Sequence, residues 1–143
     1  MQYLFGVDIG GTTVKIGLVS YEGELLDCFE IKTDRSNQGV NILPDIRDAI
    51  YEYIDSHNIS KSDIYGIGFG VPGPVANNVV KECVNLGWPF VNVRDEFLKL
   101  LDFEPVIACG NDANVAALGE TWQGGGRGFE DLILVTLGTG VGG

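Results

Sequence analysis

The chain has 143 residues, enough for one domain that buries roughly 68–70% of its unfolded surface. Its 45% hydrophobic and 20% charged residues are those of a globular, non-fibrous protein. A net charge of −11 lacks the basic footprint that nucleic acid and anionic membranes require, and no apolar stretch reaches transmembrane length, so a cytoplasmic protein with no nucleic-acid and no membrane partner is expected.

Residues 3–9 and 14–19 are short apolar runs rich in β-branched side chains, which predicts two strands of a hairpin. Between and across them lies Asp8-Ile9-Gly10-Gly11-Thr12-Thr13-Val14-Lys15. Gly10-Gly11 marks a bend that needs either positive φ or a close approach of backbone. A turn without side chains lets N–H groups face an anion, with Thr12, Thr13 and Lys15 adding hydroxyls and a cation. Asp8, at the strand end, suits a hydrated magnesium ion held through water rather than the phosphate itself. An ordinary Gly-Gly hairpin with solvated charges is the plain alternative for the same residues.

Further along, residues 24–33 read as a third strand after the turn Tyr21-Glu22-Gly23, giving an antiparallel meander. A polar loop at 34–39 precedes Ile42, Leu43, Ile46, Ala49, Ile50, Tyr53 and Ile54, whose three-four spacing predicts an amphipathic helix to about Ser56. Pro44 falls in its first turn, and His57 near its end suits the helix dipole better than catalysis. Residues 64–70 alternate glycine with apolar side chains, predicting a buried strand that a ligand or another backbone approaches closely. Pro72 and Pro74 stiffen the loop at its end, and 79–84 reads as a short strand. Asn92 is placed to cap a helix over 93–101, with Asp95 and Glu96 in its first turn.

A buried strand at 105–110 ends in Asn111-Asp112, and a helix is expected over 112–122. The glycine-rich connector 124–128 leads to a strand at 131–137 and a second glycine turn, Gly138-Thr139-Gly140. Strand ends of this kind favour ligand contacts in α/β sheets. Asp112 there could accept a proton from an attacking hydroxyl, and Asn111, with donor and acceptor groups, suits a polyhydroxylated ligand. Asp112 could equally be a simple helix cap. Cys28, Cys83 and Cys109 are widely spaced with no C-x-x-C pair, which reads as small, partly buried hydrophobes rather than a metal site.

Four blocks together resemble the ROK family of repressors and sugar kinases. They are Asp8-x-Gly10-Gly11-Thr12-x-x-Lys15, Gly70-x-Pro72-Gly73-Pro74-Val75, the run Asn-Asp-Ala-Asn-Val-Ala-Ala-Leu-Gly-Glu over 111–120, and Leu137-Gly138-Thr139-Gly140-Val141-Gly142-Gly143. The resemblance implies an α/β, actin-like ATPase (ribonuclease H-like) lobe, a mixed sheet with an antiparallel meander and flanking helices. It implies that Gly10, Gly11, Thr12 and Lys15 face the phosphates of ATP, with Gly138, Thr139 and Gly140 as the other phosphate turn and Mg2+ near Asp8. Asp112 matches the catalytic base and Asn111 a sugar ligand, while Gly73 and Asn85 approach the same hexose. The expected activity is ATP-dependent phosphorylation of a hexose on its primary hydroxyl, with glucose ahead of fructose, mannose and N-acetylmannosamine. Polyphosphate stays open as donor, and a sugar-sensing repressor is the alternative. On this resemblance residues 1–128 form an N-terminal lobe and 129–143 begin a second one. The remainder of that lobe would carry the zinc site, the full-length protein is expected to be a homodimer, and the 143-residue chain is expected to be inactive alone.

Overall fold

A computed structural model describes residues 2–21, 24–73, 75–76, 79–80, 83 and 86–111. The expected elements at 112–122, 124–128 and 131–140 lie outside these residues. The meander forms as the sequence predicts: β1 (Tyr3–Ile9), β2 (Thr13–Ser20) and β3 (Leu25–Lys32) pair antiparallel. The three-residue link between β1 and β2 permits only that pairing. The long helix Ile42–Ser56 then crosses over, so that β4 (Ile64–Val71) returns parallel to β1. A small sheet follows, of β5 (Val75–Ala76), β6 (Val79–Val80) and β7 (Val91–Asn92). The short helix Val93–Leu100 leads to β8 (Val106–Asn111), parallel to β4. The main sheet runs β3-β2-β1-β4-β8. Where a strand over 79–84 is expected, the described part pairs only at Val79–Val80 and through a single bridge from Cys83 to Trp88.

The register assigns the two faces of the sheet. Phe5 stands opposite Leu18 and Ile67, and Val7 opposite Ile16 and Phe69, so these side chains share one face. Ile42, Ile46, Ile50 and Ile54 recur every four residues and join them in one buried core with Val93 and Phe97. Tyr53 meets Phe5 edge-on at 6.0 Å, and Phe97 meets Phe69 at 4.9 Å, which puts both helices on this face. Each fully buried isoleucine of the stripe contributes about 1.5–3 kcal/mol relative to exposure. The other face is nearly bare of side chains in its middle, where Gly6 aligns with Gly17 and Gly68.

Both helix ends are closed by local chemistry. The Asn92 side chain accepts the Asp95 N–H at 3.0 Å, as expected of a cap. The long helix ends at His57 in a Schellman turn: Ile59 N–H reaches the Ile54 carbonyl and Asn58 N–H the Asp55 carbonyl, with Asn58 at φ 56°. Beyond it, Asp102 fastens three segments together. Its carboxylate accepts the Tyr51 hydroxyl at 2.7 Å and pairs with Lys61 Nζ at 2.8 Å. Those two contacts, Lys61 first, hold the Asp102 carboxyl below the usual range. The fastening is therefore complete above ordinary carboxylate pKa values and is lost only as pH falls through that lowered one. Cys83 is buried and Cys109 half-buried, as expected, but Cys28 is exposed because β3 is an edge strand with little packed on it.

Tyr53 gives the fold an alkaline limit. Its ring lies between Phe29, at 5.0 Å, and His57, at 3.9 Å, and its hydroxyl donates to Asp27 at 2.7 Å. Burial, followed by the Asp27 carboxylate, pushes the phenol up to about 12. The neutral phenol is thus favoured by folding, a contribution fully present below pH of about 10 and lost as pH rises from there through the raised value. Tyr53→Phe should flatten the fall of the urea midpoint between pH of about 10 and about 12; an unchanged slope would assign the alkaline transition to another group.

Candidate functional site

Three parallel neighbours, β1, β4 and β8, end at the same edge of the sheet, the edge at which α/β proteins bind ligands. Because β2 runs antiparallel to them and β3, antiparallel to β2, runs in their direction again, the start of β2 and the end of β3 come to that edge as well. This gathers Asp8, the turn Gly10-Gly11-Thr12, Lys15, Gly73 and the backbone of Asn111 at one end of the sheet. Asp8 pairs in register with Lys15 and with Gly70, and Gly70 with Gly110. Glu30 is the next partner of Lys15. A row Glu30, Lys15, Asp8, Gly70, Gly110 therefore crosses the face away from the helices, charged on one side and without side chains on the other. The row thus sets a lysine and a carboxylate side by side, next to two positions without side chains.

The turn beside this row is closed by backbone. Gly10 N–H donates to the Thr13 carbonyl at 3.0 Å. A Cβ on Gly10 would stand 2.9 Å from that same carbonyl oxygen, so the residue is glycine for close approach. Of the two reasons the sequence offers, the structure selects this one at Gly10: among the described glycines only Gly39 and Gly87 have positive φ. Thr33, at the end of β3, closes the turn from the other side. Its hydroxyl donates to the Gly10 carbonyl at 2.8 Å and its N–H to the Thr12 carbonyl at 2.9 Å.

From Thr33 the chain passes into a left-handed turn, with φ of 52° at Asn37, 62° at Gln38 and 70° at Gly39. Asparagine and glycine tolerate this conformation, whereas Gln38 is strained in it. The Asp34 carboxylate steadies the turn by accepting from the Ser36 hydroxyl, the Asn41 side chain and the Ser36 N–H, and these contacts hold its carboxyl below the usual range. Gly39 packs directly on the segment 86–88, and its carbonyl accepts the buried Trp88 Nε1–H at 3.0 Å. The turn and the Leu86-Gly87-Trp88 segment thus form one block that begins at Thr33.

Asn85, Asp112, Gly138, Thr139 and Gly140 lie outside the described residues. Asn111 is described as the last residue of β8, opposite Val71. Thr33, Gly39 and Trp88 are site-forming residues that sequence reasoning missed. Thr33 is a threonine at a strand end, with no signal of its own; the positive φ at Gly39 is signalled only by a lone glycine in a polar loop. Among the described residues no three or more His, Cys, Asp or Glu side chains cluster to hold a metal. Asp8 is a carboxylate at the end of β1 beside the glycine turn, a donor type that suits a hydrated cation. A surface groove lined by Arg94, Leu98, Phe103 and Val106 opens at the start of β8, the opposite end of that strand from Asn111.

Comparison with known proteins agrees with this architecture. The family model described as ROK family matches residues 4–143. A glucokinase of Halalkalibacterium halodurans is 43% identical over 147 residues, which cover 99% of this chain and 43% of that protein. A glucokinase of Thermotoga maritima is 36% identical over 143 residues, 98% of this chain and 43% of that one. The chain therefore spans less than half the length of these relatives. The crystal structure of a ROK family glucokinase from Streptomyces griseus, in complex with glucose and AMPPNP, aligns with a TM-score of 0.68 at 30% identity over 88% of this chain and 38% of that one. The mixed sheet with its antiparallel meander and flanking helices is the actin-like ATPase fold of such neighbours. With the family model spanning residue 4 to the last residue and relatives at this identity covering almost all of it, the chain belongs to the ROK family.

Proposed function

We propose that this chain is the N-terminal lobe of an ATP-dependent hexose kinase that phosphorylates glucose on its primary hydroxyl. The observation that carries the reading is the convergence of Gly10-Gly11-Thr12, Lys15, Asp8 and the end of β8 at one sheet edge. The glucokinase relatives support glucose as the acceptor. On this reading the N–H groups of Gly11 and Thr12 and the Lys15 ammonium hold phosphate oxygens, and Asp8 holds magnesium through water. Magnesium-ATP, when bound, supplies the phosphoryl group. Asn111 binds a sugar hydroxyl, Gly73 and Asn85 border the sugar, and Asp112 takes the proton of the attacking hydroxyl. Gly138, Thr139 and Gly140 form the second phosphate turn. Residues 1–128 constitute the lobe and 129–143 open the next one, so the 143-residue chain alone lacks significant turnover.

The test is sugar-dependent ADP release across a panel of hexoses, run in parallel on the full-length protein and on the 143-residue chain. Turnover on glucose by the full-length protein and none by the short chain is the expected outcome. Equal turnover by both would sink the two-lobe division. Preference for fructose, mannose or N-acetylmannosamine would move the substrate, and sugar binding without turnover would point to a sensor instead.

A further inference from the structure

We propose that Thr33 is a positioning residue that sets which way the Gly10–Gly11 peptide faces, and so presents the Gly11 N–H to the bound phosphate. The inference rests on the kinase reading above and adds to it a residue outside all four sequence blocks. Its basis is the geometry of a single peptide plane. In a trans peptide the carbonyl of one residue and the N–H of the next point in opposite directions. Fixing the Gly10 carbonyl therefore fixes the Gly11 N–H on the other side. Thr33 fixes that carbonyl with a hydroxyl donor at 2.8 Å, and its own N–H fixes the neighbouring Thr12 carbonyl at 2.9 Å.

A tether is needed here because of the residue types. Gly10 and Gly11 carry no Cβ to bias the plane, so the peptide between two glycines rotates at little steric cost. In the flipped orientation a carbonyl oxygen would face the anion in place of an N–H, which opposes binding. Thr33 is itself well held for the task. It is 8% exposed, one of two buried polar side chains in the described core, while the β3 strand that it directly follows is exposed along most of its length. A buried hydroxyl just past an exposed edge strand, bonded among the described residues to the turn it closes, has a role in that turn rather than in β3.

The effect should appear in nucleotide binding alone. If the untethered peptide spends most of its time flipped, apparent affinity falls by the fraction still facing correctly. One hydrogen bond of ordinary strength limits that loss to roughly five- to tenfold. In the full-length protein, Thr33→Val keeps the shape and the backbone N–H bond but removes the donor. We expect its KM for ATP to rise about five- to tenfold, with kcat and the KM for the hexose within about twofold of wild type. Thr33→Ser restores the donor and should restore the KM for ATP; Thr33→Ala is a second hydroxyl-free variant and should match Thr33→Val. An unchanged KM for ATP in both hydroxyl-free variants would overturn the assignment. So would a fall in kcat at constant KM, which is the mark of lost folded enzyme, or a serine variant as impaired as valine. Wild-type protein that releases no ADP in response to any hexose would instead remove the kinase reading, and this inference with it.

Discussion

Asp112→Asn in the full-length protein is expected to lower kcat for sugar phosphorylation by on the order of 10³-fold, with the KM for hexose near that of wild type. The amide matches the carboxylate in shape and can still hydrogen-bond a hydroxyl, but it cannot take the hydroxyl's proton. Phosphoryl transfer asks the protein for position, charge neutralisation and a base for the incoming alcohol. Residue 112 follows directly on Asn111, the end of β8 at the edge where β1 and β4 also finish. Steady-state kinetics with a thermal midpoint as control decide the matter. Near-normal turnover would return Asp112 to the role of a helix cap.

The largest loss of stability is expected from Gly39→Ala, about 2–4 kcal/mol. Two costs combine. The backbone at φ 70° disfavours any Cβ, and the added carbon would stand 2.6 Å from Trp88 Cδ1 and 2.7 Å from the Leu86 carbonyl oxygen. Relief requires the turn and the 86–88 segment to part, which breaks the buried bond from Trp88 Nε1–H to the Gly39 carbonyl. Urea unfolding followed by tryptophan fluorescence measures the loss. In the full-length enzyme the KM for hexose should rise with it, because Asn85 adjoins the displaced segment; an alanine variant as stable as wild type would show that the block yields without cost.

Regular elements were legible in the sequence wherever a period or a cap marked them. The spacing of Ile42, Ile46, Ile50 and Ile54 gave the long helix with its end at Ser56, and Asn92 marked the start of the short one. The two-residue strands at Val75–Ala76 and Val91–Asn92 were not legible, because two residues hold no periodicity. Nor was the left-handed turn, since two of its three residues, Asn37 and Gln38, are not glycine and owe their conformation to the contacts around them. The candidate site divides in the same way. Asp8 and Lys15 fall on one row because strand alternation and a tight turn dictate it, and both are readable from the octapeptide. Thr33 enters from a third strand, through a register that no local pattern specifies.

The Asp102 fastening lies ahead of β4 and β8, at the opposite end of these strands from the candidate site. Lys61 just precedes β4, Asp102 precedes β8, and the six residues of β8 separate that end from Asn111 by roughly 20 Å. At that distance substitutions at the two ends combine nearly additively. The Asp102 fastening and the candidate site thus stand at opposite ends of the same strands. A hardier or a softer lobe could therefore be selected by editing the Asp102 end alone, with the far end of β8 inherited unchanged.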